Sequence, residues 1–190
     1  IMAPLSIDFW KFAATTEVPQ LGPGPRRDVL ERAPLESLVE QFSAAHDLPS
    51  EAALLLRAVL LLYHDHHDPA HDLVQDLSDR DGAPIHAILH RREPDYWNAK
   101  YWFRRVDMHP VYLALGRRLP SLTSSEDHQP LVRKLTLPGA FDPFAFVDLA
   151  EQMERAQNIF ADGKLQREGE ARVGAVGQRG AQDRKSTRLN

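Results

Sequence analysis

From Ala52 to Tyr63 every residue except Arg57 is apolar. At 12 residues the run is too short for a membrane span, which takes about 20. A helix that is apolar on nearly all sides must be covered from several directions. The run is therefore expected to be the central helix of a soluble core, and the rest of the chain must supply helices that pack around it. With 190 residues, 43% hydrophobic and 26% charged, the chain has the material for one such domain and lies outside collagen-like and wholly disordered classes.

The flanking sequence carries the right periods. Leu35, Leu38, Val39 and Phe42 fall at i, i+3, i+4 and i+7, the pattern of a one-sided helix from Leu35 to His46. Pro49-Ser50-Glu51 is expected to cap the central helix. Pro69 precedes a short helix over Ala70 to Leu77, and Pro84 suits the first turn of a helix running to Glu93. Pro94 stops that helix, because a proline disfavours helical geometry in the residue before it. Asp95 then caps a helix from Tyr96 to Val106, and the pair forms an αα-hairpin. A further helix is expected from Val111 to Leu119, a strand or extended strap over Leu131 to Leu137, and a last helix opened by Asp142-Pro143. Leu55, Val59, Leu62, Ile88, Leu89, Phe103, Val106 and Phe146 are the expected core.

The fold class read from these signals is all-α: a single helical domain of about six or seven helices over residues 35–158. Residues 1–34, with five prolines from Pro4 to Pro34, read as an extended arm laid over it, anchored by Ile7, Phe9, Trp10 and Phe12. Residues 159–182 read as disordered, and residues 183–190 as an in-frame translation of a short-read sequencing adapter, so the natural C-terminus is expected to be missing. The Ile1-Met2 start is that of a truncated frame and shows no secretory signal; a cytoplasmic location is expected.

Composition narrows the chemistry. The chain has no cysteine, which removes disulfide scaffolds, thiolate catalysis and Cys-ligated metal, so any metal must sit on His, Asp or Glu. A net charge of −4 without a basic stripe gives no reason to expect nucleic acid or an anionic membrane as partner. There is no GxSxG, no Walker loop and no serine triad.

The densest chemical feature is Ile85 to Pro110, IHAILHRREPDYWNAKYWFRRVDMHP. On a helix His86, His90 and Glu93 share one arc beside Ile85, Ile88 and Leu89. The HxxxH spacing sets two imidazoles one turn apart, where they can hold a divalent cation or act as acid and base. His71, His64, His67, Asp72 and Asp95 are the residues that can complete such a shell, His71 being the expected third ligand. The opposing reading has these histidines as hydrogen-bonded packing residues. His64-Asp65-His66-His67-Asp68 resembles a metal-binding tract by composition but is expected to be a solvated helix end.

On the next helix Tyr96, Ala99, Phe103 and Val106 make a core stripe, and Trp97, Tyr101 and Arg104, with Asn98 and Arg105, make a second face. Together with Arg91, this face is the expected binding side for an anionic or polar small molecule, since guanidinium offers a bidentate fork and stacks on aromatic rings. The expected site is thus a hollow with His71, His86, His90 and Glu93 on one side and Arg91, Asn98, Tyr101, Arg104 and Arg105 on the other.

HAILHRREPDYWNAKYWFRRV with the following HP, and FDPFAFVDLAE from Phe141, resemble an uncharacterised family of mostly bacterial hypothetical proteins over residues 35–155. The resemblance implies kinship without an activity. Ala70-His71 stands where the family has Ser-His, and Asp107-Met108 where it has a glycine. Ala99, Phe103, Val106 and Pro110 also resemble the second helix of a TPR or Sel1-like hairpin, which implies αα packing and a non-enzymatic module for a protein partner.

Overall fold

The structure, a computed structural model, describes residues 13–77, 79–106, 108–122 and 125–161. Among them are α1 (Arg32–Ala45), α2 (Ser50–Tyr63), α3 (His67–Val74) and α4 (Gly82–Arg92). They continue with α5 (Tyr96–Arg105), α6 (Pro110–Arg118), α7 (Gln129–Lys134) and α8 over residues 143–161. The only strands among them, β1 (Thr136–Leu137) and β2 (Ala140–Phe141), form one antiparallel hairpin. The protein is all-α, with eight described helices where six or seven were expected.

The added helix is α7, and it corrects the expected strap over Leu131 to Leu137. Pro130 sits in its first turn, and only Thr136 and Leu137 are extended. The chain divides into two compact units, Ile1–Ala150 and Glu151–Asn190. That boundary falls before the expected domain end at 158. Beyond it Met153, Ile159 and Phe160 are exposed, so residues 151–161 add helix without adding buried core. Helix also continues through 159–161, where disorder was expected. The proposed anchors Ile7, Phe9, Trp10 and Phe12, and residues 162–190, lie outside the described residues.

Within the first unit α4 is buried between two cores, and its sequence shows how. Ile85 and Leu89, one turn apart, join Leu35, Val39, Leu60 and Leu61 in the first core. Ala83 and Ala87, on another stripe, join Ala99, Phe103, Tyr112 and Val147 in the second. A third stripe one turn long carries His86 and His90, which are 4% and 9% exposed. The face left over carries Ile88, which was expected in the core and is 38% exposed. Val59, on the outer side of α2, is likewise exposed at 42%, because no helix among the described residues covers that flank. Leu62, Leu89, Phe103 and Val106 are buried as expected, and Leu55 and Phe146 are partly buried.

The helix ends position the site. Asp95 Oδ1 accepts from the Asn98 amide at 3.2 Å, capping α5 and fixing the start of the hairpin's second arm. Asp142 Oδ1 does the same for α8 through Phe144 and Ala145. α2 instead begins at Ser50 with Pro49 before it and no side-chain cap. It ends in a Schellman motif: His66 N–H reaches Leu61 O, Asp65 N–H reaches Leu62 O, and Asp65 has φ +65°.

That left-handed turn corrects the expectation of a solvated His64–Asp68 link. It drives the Asp65 carboxylate inward, where it meets Arg26 Nε at 2.9 Å and Arg92 Nη2 at 2.5 Å with all three side chains buried. Residues 14–31, which hold no helix or strand, are stitched to the helices by this pair and its neighbours. Arg92 also donates to Gly22 O at 3.1 Å and Leu62 O at 2.6 Å. His64 accepts from the Leu30 amide on Nδ1 at 3.0 Å and faces Ala13 O through Nε2 at 2.9 Å. Gly24, at φ +87°, lies so near this hub that a Cβ there would stand 2.8 Å from the Asp65 carboxylate.

Candidate functional site

α3 and α4 meet so that His71, from the first, faces His86 and His90, from the second. One nitrogen from each ring lies within 4.8 Å of the other two. His71 Nε2 and His86 Nε2 are 3.0 Å apart, near the edge length of about 3.3 Å that follows from Zn–N bonds of roughly 2.0–2.1 Å in a tetrahedral site. The His86 and His90 rings stack at 4.7 Å, and His71 stands edge-on to both. His86 Nδ1 is buried without a hydrogen-bond partner.

Burial, with the neighbouring His90 and His71, pushes the His86 imidazole down to about 4, against the opposing pull of the Val74 carbonyl. Burial lowers His90 as well, partly offset by the carboxylates of Glu93 and Asp95. Both rings are therefore neutral near pH 7, the form that ligates a cation. His86 does not have the near-neutral titration of an ordinary imidazole acting as general base, because charging it here means charging a buried ring beside two others.

Around this triad stand three further groups. Glu93 Oε2 lies 3.3 Å from His90 Nδ1, a contact without hydrogen-bond alignment that becomes an ion pair only when the ring is protonated. Asn98 Nδ2 lies 3.1 Å from His90 Nε2. In the neutral ring the Asn98 amide donates to Nε2, which leaves Nδ1–H on the side of Glu93. The Trp102 indole stacks on His86 at 3.9 Å and 20°, closing the triad with an apolar wall.

The other expected residues go elsewhere. Arg91 is buried against Leu21 O and the Phe146 ring. Arg104 is exposed. Tyr101 lies parallel to the largely exposed Trp97 and accepts from Arg105 Nη1 at 3.0 Å. Arg105 also stands over Trp102, 5.5 Å from its centroid. The expected hollow shared by both flanks is thus not formed: His71, His86, His90, Glu93 and Asn98 converge, and Arg91, Tyr101, Arg104 and Arg105 do not join them. The reason is the phase of α4, where Arg91 falls about 100° from His90 and toward the arm. Of the other completing ligands, His64 and His67 face the arm, Asp72 is exposed and Asp95 is spent on its cap.

Sequence reasoning missed Trp102 as part of the site. Its signal was the antiparallel hairpin, which returns residues late in α5 alongside the middle of α4. It also missed the Asp65 hub, whose signal was an aspartate just past the end of an apolar helix, where a left-handed residue is common.

Away from the triad, a concavity of about 610 Å³ lies over the exposed flank of α2. Leu55, Leu56, Val59, Pro84, Ile85 and Val111 line it, and Glu51 and Asp81 stand at its polar positions beside His109. His109 Nε2 is 2.8 Å from Asp81 Oδ1 and its Nδ1 accepts from the Val111 amide, so both ring nitrogens are engaged. No helix among the described residues is long and apolar enough to cross a membrane.

No protein-family model, no curated protein and no solved structure matches this chain.

Proposed function

We propose that the chain holds a divalent transition metal on His71, His86 and His90 and uses it to bind and act on a small polar or anionic molecule. The observation that carries this reading is the convergence of three imidazole nitrogens, from two helices, within 4.8 Å of one another. The neutrality of the His86 and His90 rings supports it, since charged rings there would repel a cation and one another. Three protein ligands leave one tetrahedral position for water or substrate, the pattern of catalytic rather than structural zinc sites. A cation there lowers the pKa of bound water toward 7 and polarises a carbonyl or phosphoryl oxygen. Glu93 is placed to orient His90 from outside the shell, as carboxylates commonly do for metal-bound imidazoles. Asn98 must release His90 Nε2 for that nitrogen to ligate, and would then be free to donate to the bound molecule.

The test is metal content and cobalt titration of the full chain. One equivalent of metal, a tetrahedral Co²⁺ visible spectrum, and loss of both in His86→Ala and His90→Ala support the reading. Less than a tenth of an equivalent after metal-replete purification overturns it.

A second reading, a non-enzymatic helical module for a protein partner, is favoured by the groove of about 610 Å³ over α2. Its apolar floor and its carboxylates Glu51 and Asp81 suit an amphipathic helix carrying cations at the groove edge. Binding of a basic amphipathic peptide that is abolished by Val59→Glu and indifferent to His86→Ala would support this reading.

A further inference from the structure

Two arginines stand side by side at the end of α4, equally buried and very differently served. Arg92, 2% exposed, has an acceptor for each of its nitrogens: Gly22 O for Nε, Leu62 O for Nη1, and Asp65 Oδ1 with Pro23 O for Nη2. Arg91 is 6% exposed and among the described residues makes one hydrogen bond, from Nη1 to Leu21 O at 2.9 Å. Its Nε is buried with no partner, and among the described residues no carboxylate pairs with it. The Phe146 ring, 5.3 Å from the guanidinium carbon, offers a π-face but no hydrogen-bond acceptor.

The imbalance extends beyond one side chain. Arg26 in the arm and Arg91 and Arg92 beneath it are all buried, and the one buried carboxylate that meets any of them among the described residues, Asp65, is taken by Arg26 and Arg92 together. A guanidinium has five donors in a planar fork matched to the two oxygens of a carboxylate or phosphate. Burying it without an anion is costly, and natural buried charges are paired. The same helix shows that the fold can satisfy a buried arginine fully when it has the acceptors.

We infer that Arg91 is the anchor of an anion-binding site, taking a small oxyanion or the carboxylate of a small molecule on its Nε edge beneath residues 21–23 of the arm. The ligand supplies the acceptors that the chain withholds, and its charge balances the excess of buried cations. The site is independent of the histidine triad and stands whether or not a metal binds there.

The experiment is calorimetric titration of the full chain with inorganic phosphate and, separately, with acetate, both in the presence of EDTA so that no cation at the triad can hold the anion. Saturable binding of one equivalent of either ion is expected, with a rise in melting temperature. Phosphate alone or acetate alone tells an oxyanion site from a carboxylate site, and either result supports the inference. Arg91→Met is expected to weaken binding by about tenfold or more, the loss of a charge-assisted pair. Arg91→Lys, which keeps the charge and loses the fork, serves if the methionine variant does not fold, and it too is expected to weaken binding. His86→Ala is expected to leave anion binding unchanged, which separates this site from the proposed metal centre. No saturable binding of either ion, or equal binding by wild type and both Arg91 variants, overturns the inference.

Discussion

His71 Nε2 and His86 Nε2 lie 3.0 Å apart although 15 residues separate them in the chain. The contact depends on α3 packing across α4, and it converts an ordinary HxxxH spacing into a three-nitrogen cluster. Two ring nitrogens facing each other at this distance can share only one proton between them. A cation would satisfy the facing lone pairs at once, which is why the triad is read as a metal centre.

Asn98 supplies the most direct probe of that reading. Its amide nitrogen competes for His90 Nε2 at 3.1 Å. Asn98→Asp replaces a donor by an anionic acceptor that can complete the shell. The variant is expected to bind Zn²⁺ at least as tightly as wild type, while Asn98→Lys, which sets a cation there, should lose binding; competition with a chromogenic chelator checks both.

Asp65 carries the heaviest structural load of any carboxylate in the arm region. Its side chain is 1% exposed and bonded to two buried guanidiniums. Breaking a buried ion pair by removing one partner typically costs about 3–5 kcal/mol. Asp65→Asn is expected to lose stability of that order, read as a fall in urea midpoint. Faster proteolysis within residues 14–31 than in wild type should accompany it.

The arm should also respond to acid through His64. Burial holds this imidazole below its ordinary value, outweighing the Ala13 carbonyl, and Nδ1 must stay unprotonated to accept from the Leu30 amide. The folded state therefore binds a proton less readily than the unfolded chain. The resulting stability is fully present above an unfolded pKa of about 6.5 and declines as pH falls below it. Asp65 follows at lower pH. Burial raises its carboxyl, hydrogen bonds from Arg92 and Arg26 more than reverse that, and its stabilisation is lost as pH falls below about 3.8 toward the folded value. Urea midpoints measured from pH 8 to pH 5 should fall in wild type and fall less in His64→Gln, the remaining slope coming from His86 and His90, which burial also lowers. A midpoint that rises on acidification would contradict this account.

Gly116 sets a helix propensity against a close approach. Alanine is better than glycine by about 1 kcal/mol in a helix interior. A Cβ at Gly116, however, would stand 2.5 Å from the Ala140 carbonyl carbon in β2, against backbone that cannot turn aside. Overpacking of this kind costs about 1–3 kcal/mol. Gly116→Ala is expected to be net destabilising, with a lower urea midpoint than wild type.

Much of the helical layout was legible because its signals are local. Pro94 and Asp95 divided the hairpin where α4 and α5 divide, and Asp142 capped the helix it was expected to cap. Val59 and Ile88 were misplaced because hydrophobicity says that a residue prefers burial, while the number of covering helices decides whether it gets it. The histidine ligands could be named from spacing, since i and i+4 share a helix face. The arginine side of the expected hollow could not, because Arg91 answers to the arm, a segment with no period of its own.

The chain by itself determined most of the helical stretches and the break at Pro94, that any metal must rest on imidazole or carboxylate, and which histidines share a face. Those properties follow from hydrogen bonding and side-chain spacing over a few residues. Only the tertiary structure decided that His71 closes the triad, that Trp102 walls it, and that Asp65 serves two arginines while no carboxylate among the described residues pairs with Arg91. These are long-range pairings, set by how the helices and the arm pack and by which buried charges then find a partner, and no local pattern encodes them.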